Sequence, residues 1–216
     1  MSLTFYGHPF SSYTWKALIA LYENETPFTY RSLEEPGAGE ELAALWPFAK
    51  FPVLVDDGRT VVESSIIIEH LDLHHPGPAR LLPDDAKAAL EVRFWDRFFD
   101  QYVMSAMQGP VAESLRPDGR RETAQAEAEG ALELAYAWLE GAMAQRTWAA
   151  GETFTMADCA AAPSLFYADW VHPIGEAYPA VRAYRARLLA RPSVVRCVED
   201  ARPYRSYFPL GAPDRD

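Results

Sequence analysis

The sequence predicts a mixed α/β domain over residues 1–77 followed by an all-helical domain over residues 84–216. Three observations carry that division. Short β-prone runs interleaved with one helical repeat fill the first part of the chain, and a breaker cluster, Pro76-Gly77-Pro78 then Leu81-Leu82-Pro83-Asp84, follows them. Beyond the cluster, strand-like alternation gives way to apolar side chains at helical spacing.

Taken in order, Leu3 to Tyr6 is β-prone, and Trp15, Leu18, Ile19 and Tyr22 repeat at i, i+3, i+4 and i+7, the spacing of one buried helix face. Phe28-Thr29-Tyr30-Arg31 alternates as a strand. A Gly/Pro/Glu-rich stretch from Glu34 to Glu41 has room for one short helix. Val53-Leu54-Val55 and Thr60-Val61-Val62 then flank the turn Asp56-Asp57-Gly58, the pattern of a hairpin. Ser64 and Ser65 are placed to cap a helix carrying Ile66, Ile67, Ile68 and Leu71. The resulting order, β-α-β, loop, β-β-α, fits a four-stranded thioredoxin-like sheet.

In the second part, Leu90, Phe94, Phe98 and Tyr102 mark a helix from about Asp84 to Gln108 that Pro110 should end. A second long helix is expected from about Asp118 to Gln145, with Leu132, Tyr136, Leu139 and Met143 inward. Three shorter helices are expected near 156–170, 178–190 and 193–200. The tail from Arg202, with Pro203, Pro209 and Pro213 among Tyr204, Tyr207 and Phe208, should pack without forming a regular helix.

Composition narrows the function classes. Twenty Lys and Arg stand against 31 Asp and Glu, a formal charge of −11, which repels phosphate backbones and anionic lipid surfaces. Neither nucleic acid nor a membrane is an expected partner. Half of the residues, 49%, are hydrophobic, yet no apolar stretch approaches the ~20 residues of a bilayer span. The opening residues carry no basic segment or apolar run of leader type, so a cytoplasmic protein is expected. Cys159 and Cys197 suit neither a disulfide framework nor a zinc site.

Three constellations carry candidate chemistry. The first is the loop Tyr6-Gly7-His8-Pro9-Phe10-Ser11-Ser12-Tyr13-Thr14-Trp15, where two hydroxyls precede a helix. Free N–H groups and the positive end of a helix dipole favour an anion there, and a serine hydroxyl adds a donor. Keeping a thiol of pKa about 8.5 ionised at neutral pH takes roughly 2.7 kcal/mol, within reach of such a corner. As a plain N-cap, the same serine pair would need no ligand. The second is Lys50-Phe51-Pro52-Val53; a cis bond before Pro52 would expose the Phe51 N–H and C=O for pairing with an extended peptide, and Lys50 offers charge to a carboxylate. The third is Glu63-Ser64-Ser65, where Glu63 suits an ammonium and the helix start at Ser64 suits a carboxylate. His70, His74 and His75 cluster at a predicted helix end with no carboxylate or cysteine to complete a metal site, and are read as a solvated end.

The succession Tyr6…Ser11-Ser12-Tyr13-Thr14-Trp15-Lys16-Ala17-Leu18, then Phe51-Pro52-Val53-Leu54, then Glu63-Ser64-Ser65-Ile66, resembles the cytosolic glutathione transferases, with a zeta-like flavour in the Ser-Ser-x-x-Trp string of the serine type. Phe154-Thr155-Met156-Ala157-Asp158-Cys159 looks like the family's buried capping box. The resemblance implies a thioredoxin-like glutathione-binding domain, an all-helical domain, a homodimer, glutathione as co-substrate, and no metal. It implies that Ser11 hydrogen-bonds the glutathione thiolate, with Ser12 or Tyr6 as the alternative donor. By the same resemblance Phe51 pairs with the cysteinyl backbone, Pro52 is the cis proline, Lys50 faces the glycyl carboxylate, and Glu63 with Ser64 holds the γ-glutamyl end. A hydrophobic electrophile would meet Phe10, Tyr102, Met107 and Trp170. The implied reaction is transfer of glutathione to that electrophile. A glutathione-dependent isomerase or dehalogenase, or a binding protein without turnover, stands as the alternative. Tyr13, where zeta members carry cysteine, is a departure that counts against the isomerase of that class.

Overall fold

In the computed structural model, which describes residues 2–216, the strands β1 (Leu3–Gly7), β2 (Thr29–Ser32), β3 (Val53–Asp56) and β4 (Arg59–Val62) form one mixed sheet in the order β2-β1-β3-β4. The strand β1 pairs in parallel with β2 and antiparallel with β3, and β3 pairs antiparallel with β4. Asp57 and Gly58 turn the hairpin at φ 45° and 87°, the positive pair that a two-residue turn requires. This is the expected thioredoxin-like arrangement.

Helix α1 (Ser12–Glu23) follows β1, α2 (Ala38–Leu45) follows β2, and α3 (Ser64–His74) follows β4. Only one face of α1 is expected to be buried, but the helix is buried on every side from Thr14 to Leu21 because α3 packs on one side of it and two helices of the second half, α7 (Met156–Val171) and α9 (Pro192–Ala201), on others. Trp15 meets Phe166 and Tyr167 at ring separations of 4.9 and 5.5 Å. Gly7 makes the β1–α1 corner tight: a Cβ there would lie 2.7 Å from the Thr14 methyl.

The helical half comprises α4 (Ala86–Phe98), a π-helical segment (Phe99–Met104), α5 (Ser105–Ser114), α6 (Arg121–Met143), α7 (Met156–Val171), α8 (Pro179–Leu189) and α9 (Pro192–Ala201). Two expectations fail here. Pro110 does not end its helix but sits inside α5, which runs on to Ser114 while packed along α6. Of the row Leu90, Phe94, Phe98 and Tyr102 only Phe98 is buried; Leu90, Phe94 and Tyr102 are exposed (67%, 46% and 59%), whereas Val92, Trp95, Phe99 and Val103 face the core. A row spaced by four drifts round a 3.6-residue helix, and the π segment adds a further shift. By contrast Leu132, Tyr136, Leu139 and Met143 are all buried, as their spacing predicts. The capping box at the start of α7 is present: the Thr155 N–H donates to Asp158 Oδ2 at 2.9 Å. The tail does contain a short 3₁₀ helix, Arg202–Tyr207, and Phe208 packs on Trp170 at 5.2 Å.

The histidine cluster also departs from expectation. Asp56, at the end of β3, completes it, with Oδ2 lying 2.8 Å from both His70 Nε2 and His75 Nε2. The sequence hides this because the carboxylate comes from a different element, brought to the end of α3 by the sheet. Among the described residues no helix is long and apolar enough to cross a membrane.

Candidate functional site

At the start of α3 the backbone is unusual. Glu63, the residue before the helix, has φ 68° and ψ 123°, a conformation that non-glycine residues seldom adopt, and no side chain caps the first turn. The expected cap by Ser64 or Ser65 is therefore not formed: Ser64 is buried inside the first turn, and Ser65 Oγ donates to Asp96 Oδ2 at 2.8 Å. The first N–H groups of α3 are left open to an anion.

A cavity of about 540 Å³ lies over this helix start, between the sheet-bearing half and α4. Lys50, Phe51, Pro52, Glu63 and Ser64 all line it. The Phe51–Pro52 bond is cis. Two cations at the cavity, Lys50 and Arg97, have no carboxylate within 4.0 Å among the described residues, while Arg93 is held by Glu69 in a fork of two 2.8 Å bonds. The lining thus offers two free positive charges, one free carboxylate at Glu63 and an uncapped helix N-terminus.

The hydroxyl candidates separate. Ser11 is the N-cap of α1, and its Oγ accepts from the Thr14 N–H at 3.3 Å. That bond uses a lone pair and leaves the Ser11 O–H free to donate. Ser12 is buried as the first residue of α1. Tyr6 donates to Glu41 Oε2 at 3.2 Å, which commits its hydroxyl to α2, and burial followed by that bond raises its pKa. Neither serine is among the cavity's lining residues, but Tyr13, two positions after Ser11, is. Burial, with Asp100 and Glu63 nearby, pushes the Tyr13 phenol up to about 12, so it stays a neutral donor.

Of the four residues expected to hold a second substrate, only Phe10 and Trp170 come together. Phe10 and Trp170 pack with tilted rings at 6.2 Å beneath Tyr167 and the tail, Met107 is buried, and Tyr102 lies on the outer surface against Phe98. The tail, by covering Trp170, and the shift along the α4 row account for this. The wall facing Lys50, Phe51 and Glu63 is instead Asp100, Gln101 and Ser105, with Trp46 and Ile66 as apolar surface.

One feature beside the cavity escapes sequence reading. Lys16, 1% exposed, places its Nζ 2.8 Å from Asp96 Oδ1, 2.7 Å from Asp100 Oδ2 and 2.8 Å from Ser65 Oγ. Burial raises the Asp100 pKa and the lysine opposes that rise. The signal was present as a lone charge ahead of the apolar run Ala17-Leu18-Ile19-Ala20-Leu21.

Comparison with known proteins gives a consistent result. The family descriptions "Glutathione S-transferase, N-terminal domain" and "Glutathione S-transferase, C-terminal domain" match residues 5–79 and 102–192. The chain is 26% identical over 205 residues to glutathione S-transferase U25 of Arabidopsis thaliana, covering 92% of this chain and 90% of that one. It is 30% identical over 154 residues to the glutathione S-transferase-like protein LUC7 of a Fusarium species, covering 69% of this chain and 70% of that one. A crystal structure of a glutathione S-transferase from Methylobacillus flagellatus with glutathione bound superposes with a TM-score of 0.79 at 26% identity, covering 91% of this chain and 98% of that one.

Proposed function

Because this chain belongs to the glutathione S-transferase family, we propose that it binds glutathione in the cavity between its two halves and keeps the cysteinyl sulfur ionised for attack on an electrophilic co-substrate. The observation that carries this reading is the convergence of Lys50, Phe51, Pro52, Glu63 and Ser64 on one cavity. Glutathione has two carboxylates, one ammonium and a peptide backbone. Lys50 takes the glycyl carboxylate, and the uncapped start of α3 at Ser64 takes the γ-glutamyl carboxylate. Glu63 takes the ammonium. The Phe51 N–H and C=O have no partner within the described chain and pair with the cysteinyl unit.

Ser11 supplies the hydrogen bond to the thiolate, which makes this a serine-type member, and Ser12 is a neighbouring contact. The domains divide at residues 77 and 84. Trp46, Phe51 and Ile66 receive the apolar part of the electrophile, and alkyl or aryl transfer in cytoplasmic detoxification is the activity we assign. Isomerisation or dehalogenation shares the thiolate, and the polar wall of Asp100, Gln101 and Ser105 favours that second reading for a polar electrophile.

Replacing Glu63 by Ala removes one charge-assisted contact, worth about 1.5–3 kcal/mol, so calorimetry should show glutathione binding weakened at least about tenfold. Unchanged affinity would remove Glu63 from the binding map. We also assign a homodimer, supported by the exposed apolar surface of Leu90, Phe94, Leu134 and Trp138 on α4 and α6. Light scattering at micromolar concentration should give twice the 24.2 kDa chain mass, and Phe94→Glu should lower it.

A further inference from the structure

At the end of α3 remote from the cavity, we propose a binding site for one divalent transition-metal ion, formed by Asp56, His70 and His75. The carboxylate Oδ2 of Asp56 stands 2.8 Å from His70 Nε2 and 2.8 Å from His75 Nε2. One donor atom from each of the three residues lies within 4.8 Å of the other two. A tetrahedral ion with nitrogen and oxygen ligands at about 2.0–2.1 Å holds those ligands roughly 3.3 Å apart, so the two Asp56–histidine edges open by about half an ångström to admit the ion, with the two imidazoles already within 4.8 Å of each other. Two imidazoles and a carboxylate suit Zn²⁺, Co²⁺ or Ni²⁺, with water completing the coordination.

The site is supported by its position as well as its donors. His70 is buried on α3, His75 is the residue that ends that helix, and Asp56 is the last residue of β3. Each comes from rigid backbone. The Asp57 side chain next to it accepts a 2.7 Å bond from the Ser2 N–H, which fixes the hairpin end. His74, the third histidine of the sequence cluster, is exposed and packs with a tilted ring against His70 at 4.5 Å without joining the donor set. Both thiols, Cys159 and Cys197, are fully enclosed and do not compete for the ion.

The location gives the ion a role. The strand β3 begins directly after Phe51-Pro52 and ends at Asp56, and α3 begins directly after Glu63, carries His70 about one turn before its end and is followed by His75, so both elements that carry the cavity's contacts reach the site. An ion there ties their far ends together. Its histidines lie about 9 Å (His70) and about 16 Å (His75) along α3 from Ser64 at 1.5 Å per residue, which separates the ion from the glutathione chemistry.

The test uses chelator-treated full-length protein without glutathione, titrated with Co²⁺ and followed by visible d–d absorbance and by thermal denaturation. One equivalent should bind with the strong absorbance of a four-coordinate site, Zn²⁺ should displace it, and the melting midpoint should rise and then fall on adding chelator. His75→Gln and Asp56→Asn should each weaken binding by more than about 100-fold, beyond what loss of an outer-shell partner does. His74→Gln should bind as wild type does. Circular dichroism would establish that each variant is folded. No Co²⁺ binding below millimolar concentration, or equal binding by wild type and folded His75→Gln protein, would overturn the proposal.

Discussion

Replacing Ser11 by Ala should lower kcat/KM for glutathione transfer about 100-fold while leaving the fold and glutathione affinity nearly intact. Loss of one preorganised donor to a developing or resident anion costs about 2.7–4 kcal/mol in catalysis. The N-cap role adds about 1 kcal/mol of stability, since Ser11 Oγ also accepts from the Thr14 N–H. The two roles are separable. Ser11→Asp would restore the cap acceptor but set a negative charge beside the thiolate, so it should recover stability and remain inactive. The thiolate's ultraviolet absorbance, titrated with pH, gives the direct reading: the bound sulfur's pKa should climb toward the free value of about 8.5 in Ser11→Ala. A wild-type pH profile in Ser11→Ala, with activity lost in Tyr6→Phe or Tyr13→Phe, would transfer the role to that tyrosine.

Lys16→Met should be strongly destabilising, costing about 3–5 kcal/mol, because it strands two buried carboxylates without their counter-charge. Asp96 is 2% exposed and Asp100 only partly exposed. In the variant Asp100, whose pKa burial already raises, loses the lysine that opposes that rise, so its folded pKa climbs further above the unfolded value near 3.9. A raised carboxylate pKa means the folded state holds the extra proton, so stability is lost as pH climbs through that pKa and regained as it falls. The deficit of Lys16→Met, measured by denaturant unfolding, should therefore be smaller at pH 5 than at pH 8. Adding Asp96→Asn and Asp100→Asn should recover most of the loss. A deficit independent of pH would mean that packing, not charge, explains the cost.

The sequence shows the fold more completely than the site. Strands announced themselves because Val53-Leu54-Val55 and Thr60-Val61-Val62 bracket a turn with only one good backbone solution. Helix α6 announced itself because its inward row keeps a strict helical period. Lys50, Phe51, Pro52, Glu63 and Ser64 were legible as motifs, each adjacent to an element boundary that the pattern fixes. What remained hidden depends on distance. The partners of Lys16 lie 80 and 84 residues away, and a lysine is ordinarily a surface residue. Asp56 lies 14 residues before His70 on another element, so spacing alone could not join them. The expected pocket from Phe10, Tyr102, Met107 and Trp170 failed for a different reason: each residue type was right for an apolar wall, but the π segment and the folded-back tail decide which way each one faces.

Helix α1 belongs to both halves. Trp15 is clasped by aromatic rings of α7, Glu23 accepts from Arg191, and Arg196 lies over Tyr22 at 4.0 Å, so the helix that follows the first strand is wedged into the helical assembly along its whole length. The proline-rich seam between residues 76 and 83 marks where the chain crosses over, not where the molecule could be pulled apart. Separated at that seam, one fragment would carry a bare greasy helix with a stranded ammonium, and the other an empty slot lined with carboxylates. The thermodynamic unit is accordingly the entire chain, melting in one step, and tripeptide captured by one part should slow the breathing of the other.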